Sequence, residues 1–153
     1  MRIREATPKD ITAISDLIRP LAEKYIASQF SAEGARNLLS SIEPDAIQEY
    51  FNSGFKYHVA EQNGVVVGVV AVRDHMHLYH LFVADKFRGQ GLARKLWQVA
   101  RDACRDAGNI GEYTVNSSSF AVDMYRKFGF VEMGPPRTRN GVTAVPMKLI
   151  EPA

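Results

Sequence analysis

Three places along the chain combine residue types and spacings that could do chemistry. They are the loop Arg88-Gly89-Gln90-Gly91-Leu92-Ala93-Arg94, the tyrosine Tyr125 and the histidine His77. The loop says most. Its two glycines let the backbone turn with bare N–H groups exposed. Leu92, Leu96, Val99, Ala100, Ala103 and Ala107 then recur at helical spacing, with charged and polar residues between them, so a helix begins where the loop ends. The first N–H groups of a helix have no intrahelical partner, and that end carries about half a positive charge. Without side chains in the way, an anion can reach the amides. Arg88 and Arg94 add a cation at each edge. The residues alone predict a pyrophosphate-sized anion on the amides of Arg88 to Arg94.

Two familiar phosphate loops do not fit. A dinucleotide fingerprint starting at Gly89 needs a third glycine where Arg94 stands. A nucleoside-triphosphate loop needs Gly-Lys-Ser/Thr at the helix start, which this chain lacks. The loop follows His77 to Val83, a run of mostly aromatic, β-branched and leucine residues that reads as a strand.

The elements around this centre follow from local signals. Arg2 to Ala6 reads as a first strand. Thr7-Pro8-Lys9-Asp10 has the cap, the proline and the acid of a helix start, and Ile11, Ile14, Leu17, Ile18 and Leu21 give that helix one apolar face. Pro20 should kink it. Ser31 to Ile42 and Pro44 to about Gly54 read as two more helices. Phe55 to Gln62 and Val65 to Arg73 are strands joined by Asn63-Gly64, the strongest hairpin signal in the chain. Gly68 marks a bulge or a close contact. Tyr113 to Asn116 is a strand, Ser117 to Phe128 a helix with Ser118 as cap, and Phe130 to Met133 a strand. Gly134 to Gly141 reads as a loop before a last strand, Val142 to Ile150. The expected fold class is α/β: residues 1–153 as one domain, a mixed sheet flanked by helices, parallel where strand 77–83 joins strand 112–116.

The 153 residues suffice for one core, and 46% hydrophobic against 24% charged residues is the balance of a soluble globular protein. A net charge of +2 gives no reason to expect nucleic acid as a partner. One cysteine, Cys104, cannot form an internal disulfide and falls among apolar helix positions, so a reduced, cytoplasmic setting is expected. Neither a leader nor a membrane-length apolar run is seen, and Cys and His lack zinc spacings, so neither membrane nor metal is expected.

Arg88-x-x-Gly91-x-Ala93 after Leu81-Phe82-Val83 resembles the coenzyme-A loop of the GCN5-related N-acetyltransferases (GNAT), whose pattern is Gln/Arg-x-x-Gly-x-Gly/Ala. Asn116 to Phe130, NSSSFAVDMYRKFGF, resembles that family's final motif through Ala121, Tyr125, Phe128, Gly129 and Phe130. Where the family often has asparagine seven residues before the tyrosine, this chain has Ser118.

The resemblance implies a splayed parallel strand pair around the central strand. It implies acetyl-CoA as donor, held by Leu81, Phe82 and Val83 along its pantetheine arm, by Arg88, Gly89, Gln90, Gly91, Leu92, Ala93 and Arg94 at its phosphates, and by Asn116 and Ser118 beside them. A backbone N–H, that of Phe82, would polarise the thioester oxygen. Tyr125 would donate to the leaving sulfur, and a tyrosine with pKa ~10 is protonated for that task at pH 7. His77 stands where many members have a glutamate base, and its pKa of ~6.5 suits that role. Both residues have an alternative, packing in the core. His75 and His77 are expected on one face of the sheet and His80 on the other. The acceptor, a small-molecule or protein primary amine, would meet Tyr25, Phe30 and Arg139. Direct attack of the amine in a ternary complex is the implied reaction; a non-catalytic acyl-CoA-binding module is the alternative. A homodimer is compatible with either.

Overall fold

The computed structural model describes residues 1–152. The described residues form eight strands and five α-helices, one strand more than the sequence pattern predicts. They are β1 (Arg2–Glu5), α1 (Ile11–Tyr25), α2 (Ala32–Ser40), α3 (Pro44–Asn52), β2 (Lys56–Gln62), β3 (Val65–Arg73), β4 (His77–Val83), α4 (Leu92–Asp106), β5 (Glu112–Ser117), α5 (Val122–Lys127), β6 (Val131–Glu132), β7 (Arg137–Arg139) and β8 (Val142–Ile150). The sheet order is β1-β2-β3-β4-β5-β8-β6, with β7 on β8, and among the described residues only β4 and β5 pair in parallel.

Helices cover both faces, and β3 shows why. Its near-continuous valine run sends Val67, Val70 and Val72 into one cluster with Leu92, Leu96, Trp97, Ala100 and Cys104 of α4. Val69 and Ala71 go into another with Ile11, Ile14, Ile18 and Ala22 of α1 and Ile47 of α3. A central strand buried on both sides reads as a continuous apolar run rather than an alternating one. Gly68 is both things expected of it. The β2–β3 register shifts beside it, between Ala60 and Glu61, and a Cβ there would lie 2.8 Å from Leu96 Cδ1. Its missing side chain is what lets α4 sit close.

Local signals mostly held. Asn63-Gly64 forms a two-residue turn with φ of 54° and 78°. Ser31 Oγ caps α2 by accepting from Gly34 N–H. Cys104 is buried and free, and burial lifts its thiol to about 11, as an inert packing residue requires.

α1 runs from Ile11 to Tyr25 with Pro20 inside it. Three expectations need correction. The segment 117–128 is not one helix. Ser117 completes β5, a 3-10 turn spans Ser119–Ala121, and α5 starts at Val122. Ser118 caps that turn by position, without a side-chain hydrogen bond. The stretch 134–141 is not all loop. Arg137–Arg139 pairs with Val142–Ala144 across Asn140-Gly141, a turn with φ of 53° and 78° like that of Asn63-Gly64. Finally, His75 lies in the β3–β4 turn at φ 53° rather than on the strand, so it does not share a face with His77.

Candidate active site

The site is built from a gap in the sheet. β4 and β5 pair only at His77–Thr114 and Leu78–Val115. Beyond Leu78 and Val115 the two strands share no register, so their C-terminal halves splay as expected. The cause lies on the other side of β4. Against β3, Ala71 pairs with His80 but Val72 pairs with Leu78, so Tyr79 is an extra residue, a β-bulge. A bulge bends its strand and increases the local twist.

The bulge also resets which backbone groups face the gap. The Ala84 N–H bonds to the Val67 carbonyl of β3. Antiparallel alternation then turns Phe82 and His80 toward β3, and Leu81 and Val83 toward the opening. The N–H expected of Phe82 is therefore committed to the ladder, and those of Leu81 and Val83 are the ones free for a ligand. Side chains are reset as well. His80 and Phe82 pack on the α1 face, Leu81 and Val83 on the α4 face. His80 thus shares a face with His77 rather than opposing it. A one-residue bulge inverts everything downstream of it, and nothing in HLYHLFV announces it.

At the C-terminal end of β4 the chain makes a 3-10 turn, Asp85–Phe87, then enters the glycine loop. Gly89 and Gly91 have φ of 73° and 77°, and a Cβ on either would meet nothing within 4 Å. Both glycines are required by conformation, and both leave the loop's surface bare. Lys95 N–H makes the first helical bond, to Gly91. The Arg88 N–H is already taken by the Asp85 carbonyl, which shortens the expected donor run by one. Among the described residues, the N–H groups of Gly89, Gln90, Gly91, Leu92, Ala93 and Arg94 have no acceptor. Six consecutive donors at the start of a 15-residue helix make a seat for a diphosphate. A recess of about 360 Å³ lies beside this loop, lined by Met1, Ile3, Phe87, Gln90, Leu92 and Lys95.

Across the gap, pairing to β4 has ended by Asn116, which is exposed at the rim of β5, and Ser118 follows it. Tyr125 on α5 is 5% exposed and packs edge-on to Phe128 and Phe130. Its hydroxyl has no hydrogen-bond partner among the described residues, and burial pushes its pKa above the ordinary tyrosine value. It therefore holds its proton at neutral pH, as a donor must. Arg94 lies against the Phe128 ring, 5.0 Å from its centroid, and its side chain reaches the Lys127 carbonyl at 3.4 Å. The two motifs are thus joined around one opening.

His77 is buried and sits on the opposite face from Tyr125. Its Nδ1 is 2.7 Å from Thr114 Oγ1. Burial, then the nearby Arg73 charge, lowers its pKa to about 4. His80, wholly enclosed and hydrogen-bonded to the Tyr57 hydroxyl, is lowered to about 3 by burial. Both imidazoles are neutral at pH 7.

The acceptor-side expectations divide. Tyr25 does reach the opening. Its ring stacks on Phe120 at 4.6 Å, its hydroxyl donates to Asp85 at 2.8 Å, and Arg88 lies against it. Phe30 ends the neighbouring 3-10 turn, half buried. Arg139 is exposed on β7 and joins none of the contacts around Tyr25. Two residues of this cluster were not singled out from sequence. Asp85 had a usable signal, an acid three residues before Arg88. Phe120, 48% exposed, had none, since an aromatic in a serine-rich turn reads equally as core.

Comparison with known proteins bears on the family and the fold. The chain is 32% identical over 101 residues to N-acetyltransferase family 8 member 2 of Rattus norvegicus, covering 59% of this chain and 45% of that protein. It is 31% identical over 123 residues to probable N-acetyltransferase family 8 member 5 of Mus musculus, covering 72% and 54%. The chain thus spans about half the length of these relatives. Among solved structures, a GCN5-related N-acetyltransferase from Rhodopseudomonas palustris superposes with a TM-score of 0.80 at 19% identity, over 98% of this chain and 95% of that one. PaiA N-acetyltransferase from Thermoplasma acidophilum, solved with coenzyme A, gives 0.78 at 15% identity, over 98% of each. At such identities the likeness is one of fold. The acetyltransferase (GNAT) domain matches residues 26–151, both halves of the opening included, and the chain belongs to that family.

Proposed function

We propose that the protein is an N-acetyltransferase that moves an acetyl group from acetyl-CoA to a primary amine by direct attack in a ternary complex. The observation that carries this reading is the β4–β5 gap, with six free N–H groups in the loop that follows β4; Tyr125, whose hydroxyl has no hydrogen-bond partner among the described residues, comes from α5, which follows β5. Bound acetyl-CoA supplies the activated acyl group, and its phosphates, amides and thioester match what these groups offer.

The chain's own residues then have distinct tasks. Gly89 to Arg94 seat the diphosphate through backbone donors, with Arg94 at the α5 edge. Leu81 and Val83 present N–H and C=O groups to the pantetheine amides, as a strand edge does to an added strand. The Leu81 N–H, nearest the bulge, stabilises negative charge on the thioester oxygen. Tyr125 donates its proton to the departing sulfur. His77 receives a proton from the attacking amine through Nε2, since Thr114 engages Nδ1. Its low proton affinity means it passes that proton to water rather than keeping it.

The test is release of free thiol from acetyl-CoA with a panel of primary amines, with acetylated product read by mass spectrometry. Amine-dependent thiol release supports transfer. Coenzyme-A binding without it would instead make the chain an acyl-CoA-binding module. An unchanged kcat in His77→Ala at pH 7 would remove His77 from the scheme.

A further inference from the structure

β4 departs from regular pairing at one residue, and that residue has its own anchor. Tyr79 has no partner on β3, because Ala71 pairs with His80 and Val72 with Leu78. Alternation along a strand would send Tyr79 and His80 to opposite faces. Instead both reach aromatic residues of the cluster under α1, namely Tyr50, Phe55 and Tyr57. His80 Nδ1 meets the Tyr57 hydroxyl at 3.1 Å. The Tyr79 ring lies edge-on to Tyr50 and Phe55, with centroids at 5.0 and 5.2 Å. Its hydroxyl donates to that of Tyr50 at 3.0 Å, and Tyr50 donates in turn to the Ser41 carbonyl at 2.8 Å. The bulge is thus tied, through Tyr50 of α3, to the C-cap of α2.

Two registers are open to β4 after Leu78. Extending the Val72–Leu78 register without a bulge would set Val70 opposite His80 and Val69 opposite Leu81. The observed partners are Leu81 and Phe82. Val70 belongs to the cluster under α4, so the regular ladder would bring the His80 imidazole into that apolar layer. It would also commit the Leu81 N–H to β3 in place of that of Phe82. Packing against Tyr50 and Phe55 does not require the Tyr79 hydroxyl, since a phenylalanine ring would fill the same space. What the hydroxyl adds is a bond from the extra residue to a fixed point outside the sheet.

We infer that Tyr79 is a positioning residue for acetyl transfer, whose hydrogen bond to Tyr50 fixes the bulge and so keeps the Leu81 N–H turned toward the gap. This rests on the reading in which that N–H stabilises charge on the thioester oxygen. Tyr79 and Tyr50 act through Leu81 and not on the substrates themselves. Helix α3 thereby sets the phase of a strand to which it contributes no backbone donor.

The experiment compares Tyr79→Phe, Tyr50→Phe and the double variant with Ser15→Ala, which removes a different buried hydrogen bond, from Ser15 Oγ to the Ile42 carbonyl. Hydrogen exchange of the free protein reads the strand directly. The Phe82 amide, bonded to β3, should exchange about tenfold faster relative to that of Val59 on β2 in the tyrosine variants, and no faster in Ser15→Ala. Single-turnover transfer from acetyl-CoA is then measured with the amine of the panel that the wild type uses fastest. It should fall about tenfold in each tyrosine variant and no further in the double variant, because both hydroxyls serve one bond. Tyr50→Phe also loses the Ser41 contact, so it should unfold at lower urea than Tyr79→Phe while transferring at the same rate. An unchanged Phe82-to-Val59 ratio, or equal acceleration of both amides, overturns the anchor. A shifted ratio with an undiminished transfer rate overturns its link to Leu81. No transfer by the wild type to any amine of the panel overturns the acetyl-transfer reading instead, whatever the exchange ratio. Tyr79→Phe keeps its ring, so it carries the test if Tyr50→Phe fails to fold.

Discussion

Tyr125 and His77 occupy opposite faces of the sheet, and burial acts on both. It raises the tyrosine, which must keep a proton. It lowers the histidine to about 4, which leaves the imidazole neutral at pH 7 but a weaker base than the expected value near 6.5 would make it. Tyr125→Phe keeps the ring that packs on Phe128 and Phe130 and deletes only the donor. We expect kcat to fall about 10²-fold or more, with KM for acetyl-CoA little changed; stopped-assay thiol titration measures both. The histidines also make a stability prediction. Unfolded, His77 and His80 would titrate near 6.5; folded, they titrate at about 4 and about 3. Between those values the unfolded chain binds protons that the native chain refuses. Their contribution is therefore complete above pH ~6.5 and is lost as pH falls, by up to about 1.4 kcal/mol per pH unit for each. Urea unfolding at pH 7, 6 and 5 should show it, and His80→Gln should flatten the slope. At this scale the sequence was informative about residue type and silent about direction. Tyr125 and the loop glycines could be named from their motifs. The assignment of Phe82 as oxyanion donor failed because the Tyr79 bulge shifts the ladder by one.

Elements with a local cause were legible, and those with a tertiary cause were not. Asn63-Gly64, the Ser31 cap and the apolar stripe of α4 each carry their own signal within a few residues. The Asn140-Gly141 turn carries the same signal as Asn63-Gly64, yet the strand before it is only three residues of exposed Arg-Thr-Arg, with no alternation to reveal it. The splay of β4 from β5 has no sequence mark, since it comes from a register shift on the far side of β4. α2 lies on the β7–β8 turn so closely that a Cβ on Gly34 would sit 2.2 Å from the Gly141 carbonyl oxygen, a backbone atom that cannot swing aside. Asn37 Nδ2 donates to the Asn140 carbonyl in the same contact. Gly34→Ala should therefore cost about 1–3 kcal/mol through overpacking, despite alanine's better helix propensity. A lowered urea midpoint with an unchanged slope would show this. A gain in stability would mean that the hairpin can retreat from α2 freely.

At the scale of the molecule, the gap is a cost carried by the sheet. A mixed sheet normally closes its ladder along the whole strand, and here β4 leaves the backbone of Leu81 and Val83 unmatched on one side while β5 stops pairing to β4 after Val115. Two apolar clusters back the two faces of the sheet, one under α4 and one under α1 and α3, and the first joins β4 to β5 through Leu78, Tyr113 and Val115. A ligand laid along β4 would complete the ladder and satisfy the loop N–H groups together. It would thus bind the native state and not the unfolded chain. At a coenzyme-A concentration of about 100 Kd that linkage is worth about 2.7 kcal/mol. For a chain of 153 residues it corresponds to a Tm rise of about 5–10 °C. Hydrogen exchange should localise the effect, slowing the amides of Gly89 to Arg94 and of Leu81 and Val83 while leaving Phe82, already bonded to β3, unchanged. Protection of Phe82 in place of Leu81 would mean that the bulge does not set the phase of the strand. A Tm that coenzyme A leaves unmoved would mean that the gap is not where it binds.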